Sequence, residues 1–242
     1  MKIAIVFTLA LPLVANDFSA RMLDTKLSSA QRNDACFSLR GDSSPELLEA
    51  NGKALRDPKV RSCAEENLRR ADAIDVLKGA LADEDPEVRA VAARVLGTFE
   101  RAELAPLIAK AGEDSQMLVA TNAIEGLSYY RDRTAVPYFL VLAKRTGIVG
   151  SLAIEQLIKL NEPQTLVLAR QLIKSPEPAD LLAAMRVLGS MGNAGDIRLL
   201  EKVAKDHADV LSNGPGRGFG LMPPISLDRA AQSSIQQIRG RK

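Results

Sequence analysis

Asp85-Pro86-Glu87-Val88-Arg89-Ala90-Val91-Ala92-Ala93-Arg94-Val95-Leu96-Gly97 reads as one amphipathic helix with its start signal attached. Asp caps free amides at a helix N-terminus, and Pro at the first helical position gives up no needed hydrogen bond. Val88, Ala92 and Leu96 then fall at i, i+4 and i+8, along one face. The string recurs 28 residues earlier as Asp57-Pro58-Lys59-Val60-Arg61, with Ala64 and Leu68 at the matching offsets. Val119, Ala123 and Leu127 fill the same slots further on, followed by Val149, Ala153 and Leu157, and then by Ala184 with Leu188-Gly189. The leucines at 68, 96, 127, 157 and 188 recur every 28 to 31 residues, a period that marks a repeat architecture.

A second amphipathic stretch precedes each of these helices: Glu46 to Leu55, Ala73 to Leu81, Leu104 to Ala111, Val136 to Ala143, Leu166 to Ile173 and Ile197 to Ala204. Two helices per period make a helical hairpin, and neither helix can bury its apolar face without stacked neighbours. The expected fold is therefore all-α, an α-α superhelix or armadillo-like solenoid of about six helical hairpins over residues 45–242. Composition agrees: 46% hydrophobic residues supply a core, while aromatics at 4% and the absence of Trp suit close helix packing better than a sheet.

The run DPEVRAVAARVLG resembles the HEAT repeat, in the variety called phycobilisome-lyase HEAT-like repeats, and TAVPYFLVLAK resembles that family's first helix. The likeness spans roughly residues 45 to 205 and weakens after the second repeat. The family's Arg slot holds Arg61 and Arg89, then Ala120, Gly150 and Leu181. If that Arg ladders with the Asp of an adjacent repeat, the resemblance implies a ladder confined to the N-terminal end.

The first twenty residues follow another logic. Lys2 stands before an apolar run from Ile3 to Val14, with small residues at Ala15 and Ala20, the pattern of a secretory signal peptide over residues 1–20. The run is shorter than the roughly 20 residues a permanent membrane helix needs. Export to the periplasm or beyond follows as an expectation, with no membrane attachment after cleavage. In that oxidising setting the two cysteines, Cys36 and Cys63, form one possible disulfide, tying a non-repetitive segment at 21–44 to the first repeat.

The sixth unit is interrupted by an insertion at 206–225 containing Asn213-Gly214-Pro215-Gly216-Arg217-Gly218 and Pro223-Pro224, which cannot be helical. The insertion lacks the Lys-Ser/Thr ending of a phosphate-binding loop. Helical spacing resumes from about Ser226 to Ile238 and reads as the polar-faced terminal cap of a stack.

Chemistry is sparse. Two cysteines and the lone His207 cannot assemble a usual zinc set, so no metal and no cofactor are expected. A net charge of +2 from 32 basic and 30 acidic residues gives no field for nucleic acid. Deoxyhypusine hydroxylases, which are HEAT-like, hold two irons with several His-Glu pairs, a set His207 alone cannot form. Aligning the second helices on the repeated Leu gives a row of Glu66, Arg94, Glu125, Glu155 and Arg186, and one turn later Arg70, Thr98, Tyr129, Lys159 and Ser190. One turn earlier stand Ser62, Ala90, Thr121, Ser151 and Leu182, mostly small. Mixed charges in equivalent slots suit a polypeptide of complementary charge. The expected function is a non-enzymatic scaffold that binds a protein or peptide through Glu66, Arg70, Arg94, Glu125, Tyr129, Glu155, Lys159 and Arg186. The alternative is a phycobilin-lyase-type protein or ligand carrier, which needs a shaped groove and no catalytic dyad.

Overall fold

A computed structural model describes residues 11–145, 147–208, 211–212 and 225–241. Residues 1–10 of the expected signal peptide, and 209–210 and 213–224 of the insertion, lie outside the described residues. The chain divides into two compact units, Met1–Tyr129 and Tyr130–Lys242.

The first unit is built from α1 (Leu11–Leu23), α2 (Ser29–Ser38), α3 (Pro45–Ala54), α4 (Arg61–Arg70), α5 (Ile74–Ala80), α6 (Pro86–Gly97), α7 (Ala105–Ala111) and α8 (Met117–Ser128). Consecutive helices pair as hairpins, and second helices stack on second helices, α6 on α8 most closely. The repeated leucines are the spine of this stack: Leu68, Leu96 and Leu127 are wholly buried. Each such side chain contributes on the order of 1.5–3 kcal/mol by leaving water.

Capping follows the sequence at α6, where the Asp85 carboxylate accepts from the Glu87 amide at 2.9 Å and Pro86 takes the first position. The matching Asp57-Pro58 behaves differently. It forms a turn in which the Asp57 carboxylate accepts from the Lys59 amide, and α4 begins only at Arg61. The Asp57 carboxylate is also held by Arg32, at 2.6 Å, from α2.

That contact belongs to a series. Arg32, Arg61 and Arg89 each donate to a main-chain carbonyl just after or at the end of the preceding helix, those of Met22, Leu55 and Asp83 respectively. Each also pairs with a carboxylate further along the chain: Arg32 with Asp57, Arg61 with Glu87, Arg89 with Asp114 at 2.9 Å. The expected Arg ladder is therefore present, and it starts one hairpin earlier than the repeat string does, because α1 and α2 form a hairpin with the same arginine arrangement. Met22 of α1 is fully buried. The disulfide Cys36–Cys63 links α2 to α4 with a Cα separation of 6.3 Å, and both cysteines are buried.

The second unit holds α9 (Val136–Leu142), α10 (Gly147–Lys159), α11 (Gln164–Leu172), α12 (Pro178–Met191), α13 (Ile197–Asp206) and α14 (Leu227–Gly240). Leu157 and Leu188 are again wholly buried. The arginine slot here carries Gly150 and buried Leu181, and other ion pairs join successive hairpins: Arg133 with Glu162, and Arg170 with Asp196 at 2.8 Å. The Arg170 hydrogen bond holds the Asp196 carboxyl below its ordinary range. A two-residue antiparallel ladder, β1 (Leu211–Ser212) with β2 (Ile225–Ser226), closes the base of the insertion. Beyond it α14 packs on α12 and α13. Ile235 and Ile238 face inward while Gln232, Ser233 and Gln236 stay exposed, the one-sided polarity a terminal helix needs.

Candidate functional site, the second-helix faces

Glu66 and Arg70 meet on α4, where the Glu66 carboxylate accepts from Arg70 Nε at 2.5 Å and from Arg69 Nε at 2.9 Å. These guanidinium hydrogen bonds, Arg69's foremost, pull the Glu66 carboxyl down to about 2. Both residues answer to helical spacing, i with i+3 and i+4.

Arg94 departs from expectation. Its neighbours Val95 and Leu96 take the core, which predicts a guanidinium in water, yet the side chain is only 25% exposed. Its Nη2 donates to Glu65 Oε2 of α4 at 2.8 Å, and its Nε to Asn122 Oδ1 of α8 at 3.2 Å. Burial opposes the charge on Arg94, but the Glu65 hydrogen bond and the nearby Glu65 and Glu125 fields outweigh it, so its pKa is raised. Arg94 is thus a clasp across three second helices. Glu125 of α8 meets the helix's C-cap residue Tyr129, with the phenol 3.4 Å from the carboxylate. The row expected to flank these with small side chains is largely inside the stack: Ala90, Ser151 and Leu182 are buried. Tyr130, next in the chain after Tyr129, and Phe139 of α9 are core residues.

In the second unit Glu155, Lys159 and Arg186 line an open groove of about 850 Å³, together with Ile158, Ser190, Gln237, Gly240 and Arg241. Here α10, α12 and α14 each contribute. Glu155 lies 3.7 Å from the Lys159 ammonium and 4.0 Å from Arg186. Arg241 donates to the carbonyls of Gly189, Ser190 and Gly192, closing the C-terminal end of α12. Alignment on the repeated Leu stops at Leu188, so it overlooks Gln237 and Arg241, which arrive from α14 after the insertion. It also overlooks Glu65 and Asn122, whose slots are displaced from the Arg94 row.

Among the described residues no group of three or more His, Cys, Asp and Glu side chains could hold a metal ion, and His207 is the C-cap residue of α13. No helix among them is long and apolar enough to cross a membrane.

A family of known proteins agrees with this architecture. Residues 74–149 match the family model described as HEAT repeats. Among solved structures, the chain is similar to human deoxyhypusine hydroxylase in complex with glycerol, at 15% identity and a TM-score of 0.38, over 93% of this chain and 96% of that one. It is also similar to an engineered protein, at 16% identity and a TM-score of 0.31, with the same coverages. No curated protein sequence matches the chain.

Proposed function

We propose that this chain is a non-catalytic scaffold that binds a protein or peptide partner after export to the periplasm or the cell exterior. The observation that carries the reading is the groove of the second unit. Three second helices each place exposed polar side chains around an open trough, while the repeated leucines beneath are wholly buried. Small-molecule sites enclose most of their ligand, whereas an open trough across several helices suits an extended chain. Export is supported by Lys2 ahead of the apolar run Ile3–Val14 and by the buried Cys36–Cys63 disulfide, a bond that persists in oxidising compartments.

The test is crosslinking in the native compartment, followed by identification of the captured species and N-terminal sequencing of the mature chain. A captured polypeptide and an N-terminus near residue 16 or 21 are expected, the mature chain then keeping only the C-terminal part of α1, with the Met22 carbonyl that Arg32 bonds. A chromophore or small molecule that co-purifies tightly, with no polypeptide captured, would replace this reading with that of a ligand carrier.

A further inference from the structure

We infer that the groove over α10, α12 and α14 takes an acidic peptide segment, an inference that rests on the scaffold reading and names its partner's chemistry. Among the described residues, Lys159, Arg186 and Arg241 line the groove and Glu155 is its one carboxylate. Glu155 is shared between Lys159 and Arg186 at 3.7 and 4.0 Å, beyond hydrogen-bond reach. With those three side chains 45–60% exposed, such loose pairs barely offset one another. Arg241 is held by carbonyl oxygens, which orient its guanidinium without cancelling its charge. The described lining of the trough therefore keeps a surplus of two positive charges, three cations less one carboxylate.

The corresponding helices of the first unit show what tightly paired charges look like. Arg69 and Arg70 both grip Glu66 at 2.5–2.9 Å, and Arg94 grips Glu65 at 2.8 Å. Charge left unmatched in a concavity focuses field on an incoming anion and steers its approach. The remaining lining decides the kind of anion. Ile158 gives an apolar surface, and the Ser190 hydroxyl and Gln237 amide can bond a peptide main chain. Among the described residues no aromatic ring lines the groove, which offers bases no stacking platform, and three cations are few for a tracked phosphate backbone.

The probe is a fluorescently labelled oligo-glutamate peptide titrated into the full chain at low and physiological salt. Binding that weakens with salt is expected. The double variant Lys159→Glu with Arg186→Glu should lose roughly tenfold or more in affinity. Lys53→Glu, on α3 of the first unit, should bind as the unaltered chain does. The milder pair Lys159→Gln with Arg186→Gln, checked for an unchanged melting temperature, guards against a folding artefact and should also bind more weakly. Three results would overturn the inference: no binding by the unaltered chain, equal binding by a folded double variant, or a single-stranded oligonucleotide of equal charge binding more tightly than the peptide. A native partner still crosslinked by the double variant would remove the groove and leave the scaffold reading standing. Failure to capture any polypeptide with the unaltered chain would instead remove the scaffold reading.

Discussion

Arg94 of α6 and Glu65 of α4 form a 2.8 Å ion pair whose side chains are 25% and 19% exposed, so this arginine holds neighbouring repeats together. Its counterpart by repeat position, Arg186 of α12, is 48% exposed and lies 4.0 Å from the Glu155 carboxylate. Equivalent slots in the sequence have become a structural clasp in one unit and a loosely paired surface charge in the other.

Charge reversal separates the two. Arg94→Glu sets a carboxylate against Glu65 and strands Asn122 Oδ1, so it should cost about 2–4 kcal/mol in urea unfolding. Arg186→Glu should change stability by no more than about 0.5 kcal/mol. Equal melting temperatures for the two variants would refute this division.

The disulfide Cys36–Cys63 closes a loop with a sequence separation of 27, and cross-linking a loop of that size restricts the unfolded chain by about 3–4 kcal/mol. Thiol labelling of unfolded, unreduced protein should find no free cysteine, and reductant should lower the melting temperature. A melting curve indifferent to reductant would show that the bond is absent from the protein in solution.

Gly97 faces Gly126 where α6 and α8 approach backbone to backbone. A Cβ on Gly97 would stand 2.0 Å from the Gly126 carbonyl oxygen, and one on Gly126 would stand 2.4 Å from the Ala93 oxygen. Backbone cannot turn aside as a flexible side chain can, so Gly97→Ala should destabilise the first unit by about 3 kcal/mol or more, despite the better helix propensity of Ala. A variant as stable as the parent would mean that the two helices pack further apart.

Much of this architecture is legible in the chain because the repeated Leu, Ala and Val slots are set by helical geometry, and Leu68, Leu96, Leu127, Leu157 and Leu188 all reach full burial. What escapes such a reading depends on side-chain reach. Arg32 carries the ladder into α2 with only Ala35 and Leu39 echoing the repeat string, and no Asp-Pro announces that hairpin. Arg94 looks exposed by spacing, since a long flexible side chain on a polar flank can cross to another helix, and periodicity records only where its Cβ starts. The groove is half legible: Glu155, Lys159 and Arg186 follow from register, whereas Arg241 depends on how α14 returns after the insertion.

Acid stability offers the last test, at Glu66. Hydrogen bonds from Arg69, and then Arg70, lower its folded pKa from 4.5 to about 2, so the folded state binds this proton less readily than the unfolded chain does. The sign follows from linkage: the contribution is fully present above pH 4.5 and is lost as pH falls toward 2. Asp57 and Asp196 are lowered as well, by the Lys59 amide and by Arg170 respectively, and add acid sensitivity in the same direction. Because many carboxylates titrate together, the informative quantity is the difference between the parent and Glu66→Gln. With Glu66 28% exposed and its partners about half exposed, solvent screening limits that difference at neutral pH to about 1 kcal/mol. The two unfolding curves should converge as pH falls from 4.5 toward 2, where the parent's carboxylate takes up its proton and its advantage disappears. A constant offset across that window would show that Glu66 supports the fold through packing or a neutral hydrogen bond, and that its pairing with Arg69 and Arg70 contributes nothing measurable.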